Sequence, residues 1–296
     1  PRLQLDAPVD VRAVGLMASD PLFRDNVTYA GVLLTQHAAP SVGSALDGDG
    51  TCTVSGDLFR WHRVVLTCAG PWTSEASDPN PFADYRLAVT FVHGASGTTM
   101  TVPGFYAADG DAGETGVSAG NKWRAYFSPP EVGSWEYAVS FRAGTWVAVD
   151  LDPAPGASAG FFDGATGSFA VAPEATSPVA TDPADFRARG KLAYVGEHYL
   201  QTQGDAQYWL KGGCDSPENF FGYYGFDQTF DLGGIDIPLD CGLHRFENHT
   251  ADFVVGVDPT WRGDDRSHGI VGAVNYLASR GVNSIYAITY NLDLGD

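Results

Sequence analysis

Between Thr53 and Val171 the chain repeats one pattern, and that pattern limits the possible folds more than any other feature. Short apolar or alternating runs, each closed by Gly or Pro, follow one another: Trp61–Thr67, Tyr85–Val92, Met100–Tyr106, Lys122–Phe127, Gly133–Phe141 and Gly167–Val171. Tyr85-Arg86-Leu87-Ala88-Val89-Thr90-Phe91-Val92 alternates with a period of two. Successive side chains on a strand point to opposite faces, so such a run buries one face and wets the other. With no helical period among these runs, they predict an antiparallel β-sandwich of immunoglobulin-like type over 51–172.

The remainder divides around this unit. Residues 1–50 show little periodicity and read as an N-terminal extension. Residues 173–189 are rich in Pro, Ala, Ser and Thr and read as a linker. After them the pattern changes. Leu192–Thr202 and Gln207–Lys211 read as strands. Ser267–Arg280 places Ile270, Val271, Val274, Leu277 and Ala278 at helical spacing, and Gly281 stops that helix. Val282–Thr289 follows as an apolar strand. Strand, helix, strand is a βαβ unit, so 190–296 predicts the first units of a parallel α/β fold. The fold class expected for the whole is multidomain, β plus α/β. A strand as apolar as Val282–Thr289 should be covered, by further barrel residues or by a neighbouring subunit beside Ile285 and Tyr286.

Charge narrows the partners. Lys plus Arg total 17 and Asp plus Glu total 36, a formal net charge of −19. Such a surface repels nucleic acid and anionic headgroups, and no basic cluster stands out along the sequence. No apolar run reaches the roughly 18–20 residues of a membrane span. The chain opens Pro1-Arg2-Leu3, as a mature or trimmed protein would.

Cys52 and Cys68 flank two strand-like segments around Gly56-Asp57, and antiparallel pairing would bring them to bridging distance. Cys214 and Cys241 flank a long loop that a second bridge would close. Four buried free thiols are the alternative. Two local pairs predict an oxidising, extracellular compartment, secreted or cell-surface. The sequons Asn26-Val27-Thr28 and Asn248-His249-Thr250 agree with that.

Two passages carry a family resemblance. The first is Trp61-His62-Arg63-Val64 leading to Gly70-Pro71, then Asn80 to Leu87, Val102 to Gly110 and Lys122-Trp123-Arg124. It resembles an uncharacterised β-sandwich module that precedes the catalytic barrel in a family of secreted glycoside hydrolases. The second is Leu210 to Phe220, then Asp258-Pro259-Thr260-Trp261, then Gly281 to Tyr286. It resembles the start of the (β/α)₈ barrel in the same family. The resemblance implies the N-terminal portion of a glycoside hydrolase-like protein acting on a polysaccharide. A complete barrel takes about 250 residues, so 190–296 would be an incomplete one. The alternative is a non-catalytic structural or carbohydrate-binding glycoprotein that reuses the scaffold, within a surface assembly.

In such a barrel the strand tips converge. They would gather Asp215, Glu218, Asn219, Asn291, Asp293 and Asp296, whose carboxylates and amides suit sugar hydroxyls. Asp215 and Glu218 also read as caps of a helix start, and Asp293 and Asp296 as solvated loop residues. His244 is a further candidate sugar contact. No catalytic residue is singled out and no cofactor is implied. Two acidic loops, Asp47-Gly48-Asp49 and Asp109-Gly110-Asp111 with Glu114, could hold a structural Ca²⁺ or be ordinary turns. Trp72, Trp123, Trp135 and Trp146 could stack on sugars or fill the core.

Overall fold

The computed structural model describes residues 46–152, 155–176, 186–213, 220–226 and 243–287. Eight strands form one antiparallel sheet: β1 (Cys52–Gly56), β2 (Val64–Ser74), β3 (Tyr85–His93), β4 (Thr99–Tyr106), β5 (Ala119–Phe127), β6 (Gly133–Ala143), β7 (Ala157–Ser158) and β8 (Thr166–Val171). The order is β1-β2-β5-β4-β3-β6, with β7 and β8 both paired to the far edge of β6. A single helical turn, α1 (Ala112–Thr115), lies between β4 and β5. The alternation read from the sequence is what the strands use. Tyr85, Leu87, Val89 and Phe91 of β3 are buried, as are Trp135, Tyr137, Val139 and Phe141 of β6. Their neighbours face outward.

β4 is the corner of this sheet. Its residues 99–103 pair with β3, and Gly104–Tyr106 pair with β5. Pro103, which has no N–H to donate, sits at the exchange point. Gly104 is required there: a Cβ would overlap the Leu87 side chain and come within 2.8 Å of the Arg124 carbonyl oxygen. The curl lays β3 and β6 over β2 and β5. Phe91 stacks on Phe127 at 4.1 Å between centroids, Trp123 meets Phe141 at 4.8 Å, and Phe127 meets Trp135 at 5.0 Å. The expected antiparallel unit is therefore present. Where an immunoglobulin-like sandwich was expected, the strands form one curled sheet continuous through β4.

Cys52 and Cys68 face each other directly across β1 and β2 and are joined by a disulfide. Cys68 is buried in the core, which Cys52 touches from the edge. The bridge thus pins an edge strand to an interior one, and it agrees with an oxidising compartment. Cys214 and Cys241 lie outside the described residues.

The end of the sheet is clamped back onto the loop after β1. Phe59 and Ala172 form a parallel bridge. Beside it the Arg60 guanidinium donates from Nε to Glu174 Oε2 (2.7 Å) and from Nη2 to Glu174 Oε1 (2.6 Å). This bidentate pair, hydrogen-bonded by Arg60, holds the Glu174 carboxyl below its ordinary value. A lowered carboxylate pKa contributes stability that is complete above the unfolded-state value and fades as pH falls through the folded value. Glu174→Gln should therefore cost about 1–2 kcal/mol at neutral pH. Its difference from wild type should vanish on acidification below the usual carboxylate range. Urea midpoints measured against pH check both points.

Within the described part of 173–189, residues 174–176 and 186–189 form short 3₁₀ turns. Beyond them the described strands are not the expected parallel βα units. β9 (Leu192–Tyr194), β10 (Leu200–Thr202) and β11 (Tyr208–Trp209) form an antiparallel meander. Tight turns force this. Asp205 closes the second one, accepting from Thr202 Oγ1, Arg189 Nε (2.9 Å) and Gln207 N (3.2 Å). These bonds, that of Thr202 first, lower its pKa to about 2. The predicted helix is present as α2 (His268–Ser279), and Gly281 at φ 83° ends it. Its Ile270 and Ala273 pack with Phe220 and Tyr223 in a small second core.

Residues 282–287, expected as the start of a strand, are irregular. Asn283 explains why. Its side chain accepts from Gly212 N (2.7 Å) and donates to the Leu210 carbonyl (2.8 Å), while its own N–H goes to the Gly212 carbonyl (2.8 Å). A side chain has taken the bonds a ladder would need. Ile285 packs on the second core, and Tyr286 is 52% exposed.

Candidate functional site

All six residues assigned to the barrel tips, Asp215, Glu218, Asn219, Asn291, Asp293 and Asp296, lie outside the described residues, as does Asn26. His244 is described. Its ring stacks on Phe246 at 5.0 Å, its backbone bridges to Tyr223, and burial holds its pKa below the ordinary value. Asn248 is exposed in a 3₁₀ turn, where the Thr250 hydroxyl of the same sequon donates to the Glu247 carbonyl at 3.0 Å.

In both acidic loops carboxylates accept hydrogen bonds from residues close by in the chain. Asp49 Oδ1 accepts from the N–H and hydroxyl of Thr51. Asp109 accepts from Asp111 N (2.8 Å) and from Thr115 Oγ1 (2.8 Å). Glu114 does not turn toward them. It accepts from Thr260 Oγ1 (3.0 Å) and Gly263 N (2.9 Å), tying α1 to a loop more than a hundred positions away. Among the described residues no three His, Cys, Asp or Glu side chains converge as a metal site. The tryptophans divide evenly. Trp123 and Trp135 are core, whereas Trp72 and Trp146 are 41% and 51% exposed.

One concavity among the described residues was not singled out in the sequence. It lies on the outer face of β3, β6 and β8, has a volume of about 500 Å³, and is lined by Thr90, Val92, Glu136, Tyr137, Ala138, Thr166, Gly167 and Ser168. The strand register explains its shape. One row across the sheet reads Thr101, Thr90, Ala138, Thr166; the next reads Thr99, Val92, Glu136, Ser168. Ala138 between Thr90 and Thr166 leaves a trough, with those two hydroxyls two strand spacings, about 9–10 Å, apart and Ser168 beside Glu136. Thr90 and Thr101 already bond through their hydroxyls at 2.9 Å.

Gly167 lets β8 close one side: a Cβ there would overlap the Tyr137 phenol that lies against it. Burial raises the Tyr137 pKa, so this phenol stays protonated and can donate. Glu136 is the one charged residue lining the trough. Among the described residues no cation pairs with it. Hydroxyls that both donate and accept, beside one carboxylate acceptor, suit a polyhydroxylated ligand. The volume is within the usual range of ligand sites. The alternation of β3, β6 and β8 held the signal: outward Thr, Ser and Ala gathered around a single outward Glu136.

Comparisons add the following. Residues 57–142 match the model of a family described as "Domain of unknown function (DUF5060)". The match runs from just before β2 to the penultimate residue of β6 and so includes two of the three strands of the trough. The chain is similar to the crystal structure of a putative glycoside hydrolase from Bacteroides vulgatus ATCC 8482, at 24% identity and a TM-score of 0.34, over 54% of this chain and 22% of that one. The chain thus spans about a fifth of that protein. A search of curated proteins finds no match.

Proposed function

We propose that the curled sheet is a glycan-binding module of an extracellular, glycoside hydrolase-like protein. The observation that carries this reading is the trough on β3, β6 and β8, a hydroxyl-lined concavity with one carboxylate, unpaired among the described residues. A glycosidase needs two carboxyl groups, about 5–5.5 Å or 6.5–9.5 Å apart. A trough lined by one carboxylate holds a sugar chain and leaves cleavage to another unit. In this reading Asp215, Glu218, Asn219, His244, Asn291, Asp293 and Asp296 belong to a second glycan-contacting cleft in the unit after residue 190.

Glu136→Ala removes the acceptor best placed for paired sugar hydroxyls. Hydrogen bonds to a charged group contribute about 1.5–3 kcal/mol, so affinity for the preferred glycan should fall about tenfold or more. Glu136 is exposed, so the melting temperature should hold. Affinity electrophoresis of wild type and variant against neutral polysaccharides is the measurement. Equal retention of both by every retained glycan would refute the assignment.

A further inference from the structure

A second face of the same sheet carries a different chemistry. On the outer side of β2, β5 and β4 the rows read Thr53, Thr67, Arg124, Phe105 and Ser55, Val65, Tyr126. Phe105 is 39% exposed and Tyr126 40%, and their rings meet edge to face at 5.0 Å. The Arg63 guanidinium lies over the Tyr126 ring, 4.9 Å from its centroid. Arg124 stands directly opposite Phe105 and donates from Nε to Thr67 Oγ1 at 3.1 Å. Arg63, Tyr126, Phe105 and Arg124 are therefore one continuous strip.

Its charge is anomalous. The chain carries −19 overall, yet among the described residues neither Arg63 nor Arg124 lies within ion-pair distance of a carboxylate. Asp109 feels the charge of Arg124 weakly, and its carboxylate accepts from Asp111 N and Thr115 Oγ1. No run of basic residues announces this strip, because its members come from two strands and from the residue before β2. An anionic chain is repelled by most of this surface and attracted here.

We propose that this strip binds an anionic polysaccharide of the uronic-acid type. A guanidinium is a fork of N–H donors that fits a carboxylate in a bidentate way. Two exposed aromatic edges beside the forks offer apolar surface to the C–H face of a sugar ring, which an acidic polypeptide lacks. The rings stand at 69° to each other, so they grip single residues of one chain and do not form a flat platform for a crystalline surface. The strip lies on different strands from the trough and does not depend on it.

The test uses the full 296-residue chain and polygalacturonate as the probe, by affinity electrophoresis and calorimetry at 50 mM and 200 mM NaCl. The proposal expects wild type to be retained, at least tenfold weaker binding at the higher salt, and at least tenfold loss in Arg63→Gln/Arg124→Gln at the lower. Tyr126→Ala should lose binding with less change in salt dependence, and Leu151→Ala, 98% exposed and in neither site, should bind polygalacturonate as wild type does. The Arg variants alter exposed or half-exposed side chains, so an unchanged melting temperature confirms that they fold. No retention of wild type, equal retention of the double variant, or poly-L-glutamate or single-stranded DNA bound as tightly as polygalacturonate would each overturn the proposal. Loss of neutral-glycan binding alone would sink the trough and leave the strip standing.

Discussion

Phe91→Ala should lower the unfolding free energy by about 3–5 kcal/mol, the usual cost of emptying a fully buried aromatic site. Phe91 is 1% exposed and is shared by both layers of the curl. Its ring stacks on Phe127 of β5, lies 6.0 Å from Phe169 of β8 and 6.3 Å from Tyr137 of β6. Removing it therefore opens a void where the two layers meet, and rigid strands on either side cannot close it. Leu151→Ala is the control: at 98% exposure it should change stability by less than about 0.5 kcal/mol. Urea unfolding at neutral pH separates the two outcomes. A loss below about 1 kcal/mol for Phe91→Ala would mean that the layers are not packed on each other.

Loss of the Cys52–Cys68 bridge should cost about 3 kcal/mol. The cysteines are 16 positions apart, and closing a loop of about that size restricts the unfolded chain by that amount on the chain-entropy model. The native state also suffers, because β1 is an edge strand held only by β2. Released from the bridge, it should fray, and Val54 would lose its place against the core. Cys52→Ala/Cys68→Ala avoids placing a hydroxyl at the buried site. The expected result is an unfolding free energy lower by about 3 kcal/mol, with faster amide exchange confined to β1 and the adjoining edge of β2. Unchanged stability would show that the unfolded chain gains nothing from the missing bond.

The sheet was legible because its strands alternate. Tyr85 to Val92 gives the buried face of β3 residue by residue, and the pairing of Cys52 with Cys68 follows from a two-strand reading around Gly56. The helix over 268–279 was legible from Ile270, Val271 and Val274. What misled was the region after 190. Apolar content in Val282 to Ala287 resembles a buried strand, but periodicity does not record that Asn283 will spend its side chain on Leu210 and Gly212. Direction is equally invisible: Leu192–Thr202 reads as one strand but folds as β9 and β10 around a turn, and with β11 they run antiparallel. The trough and the strip were hidden for a third reason. Each is assembled across strands, Thr90 with Glu136 and Ser168, Arg63 with Arg124 and Phe105, so no local motif exists. Trp123 and Trp135 drew attention as sugar platforms because tryptophan serves both cores and glycans; burial assigns both to the core.

The claim that matters most is that the trough on β3, β6 and β8 is where a glycan binds. Amide chemical shifts of the isotope-labelled chain, titrated in turn with neutral cello-, xylo- and mannohexaose, test it without any mutation. The account predicts that at least one hexasaccharide shifts Thr90, Glu136, Thr166 and Ser168 in a saturable way and leaves core residues such as Val89 and Phe141 in place. Shifts confined to the region after residue 190, or none in the trough with any of the three sugars, would contradict it.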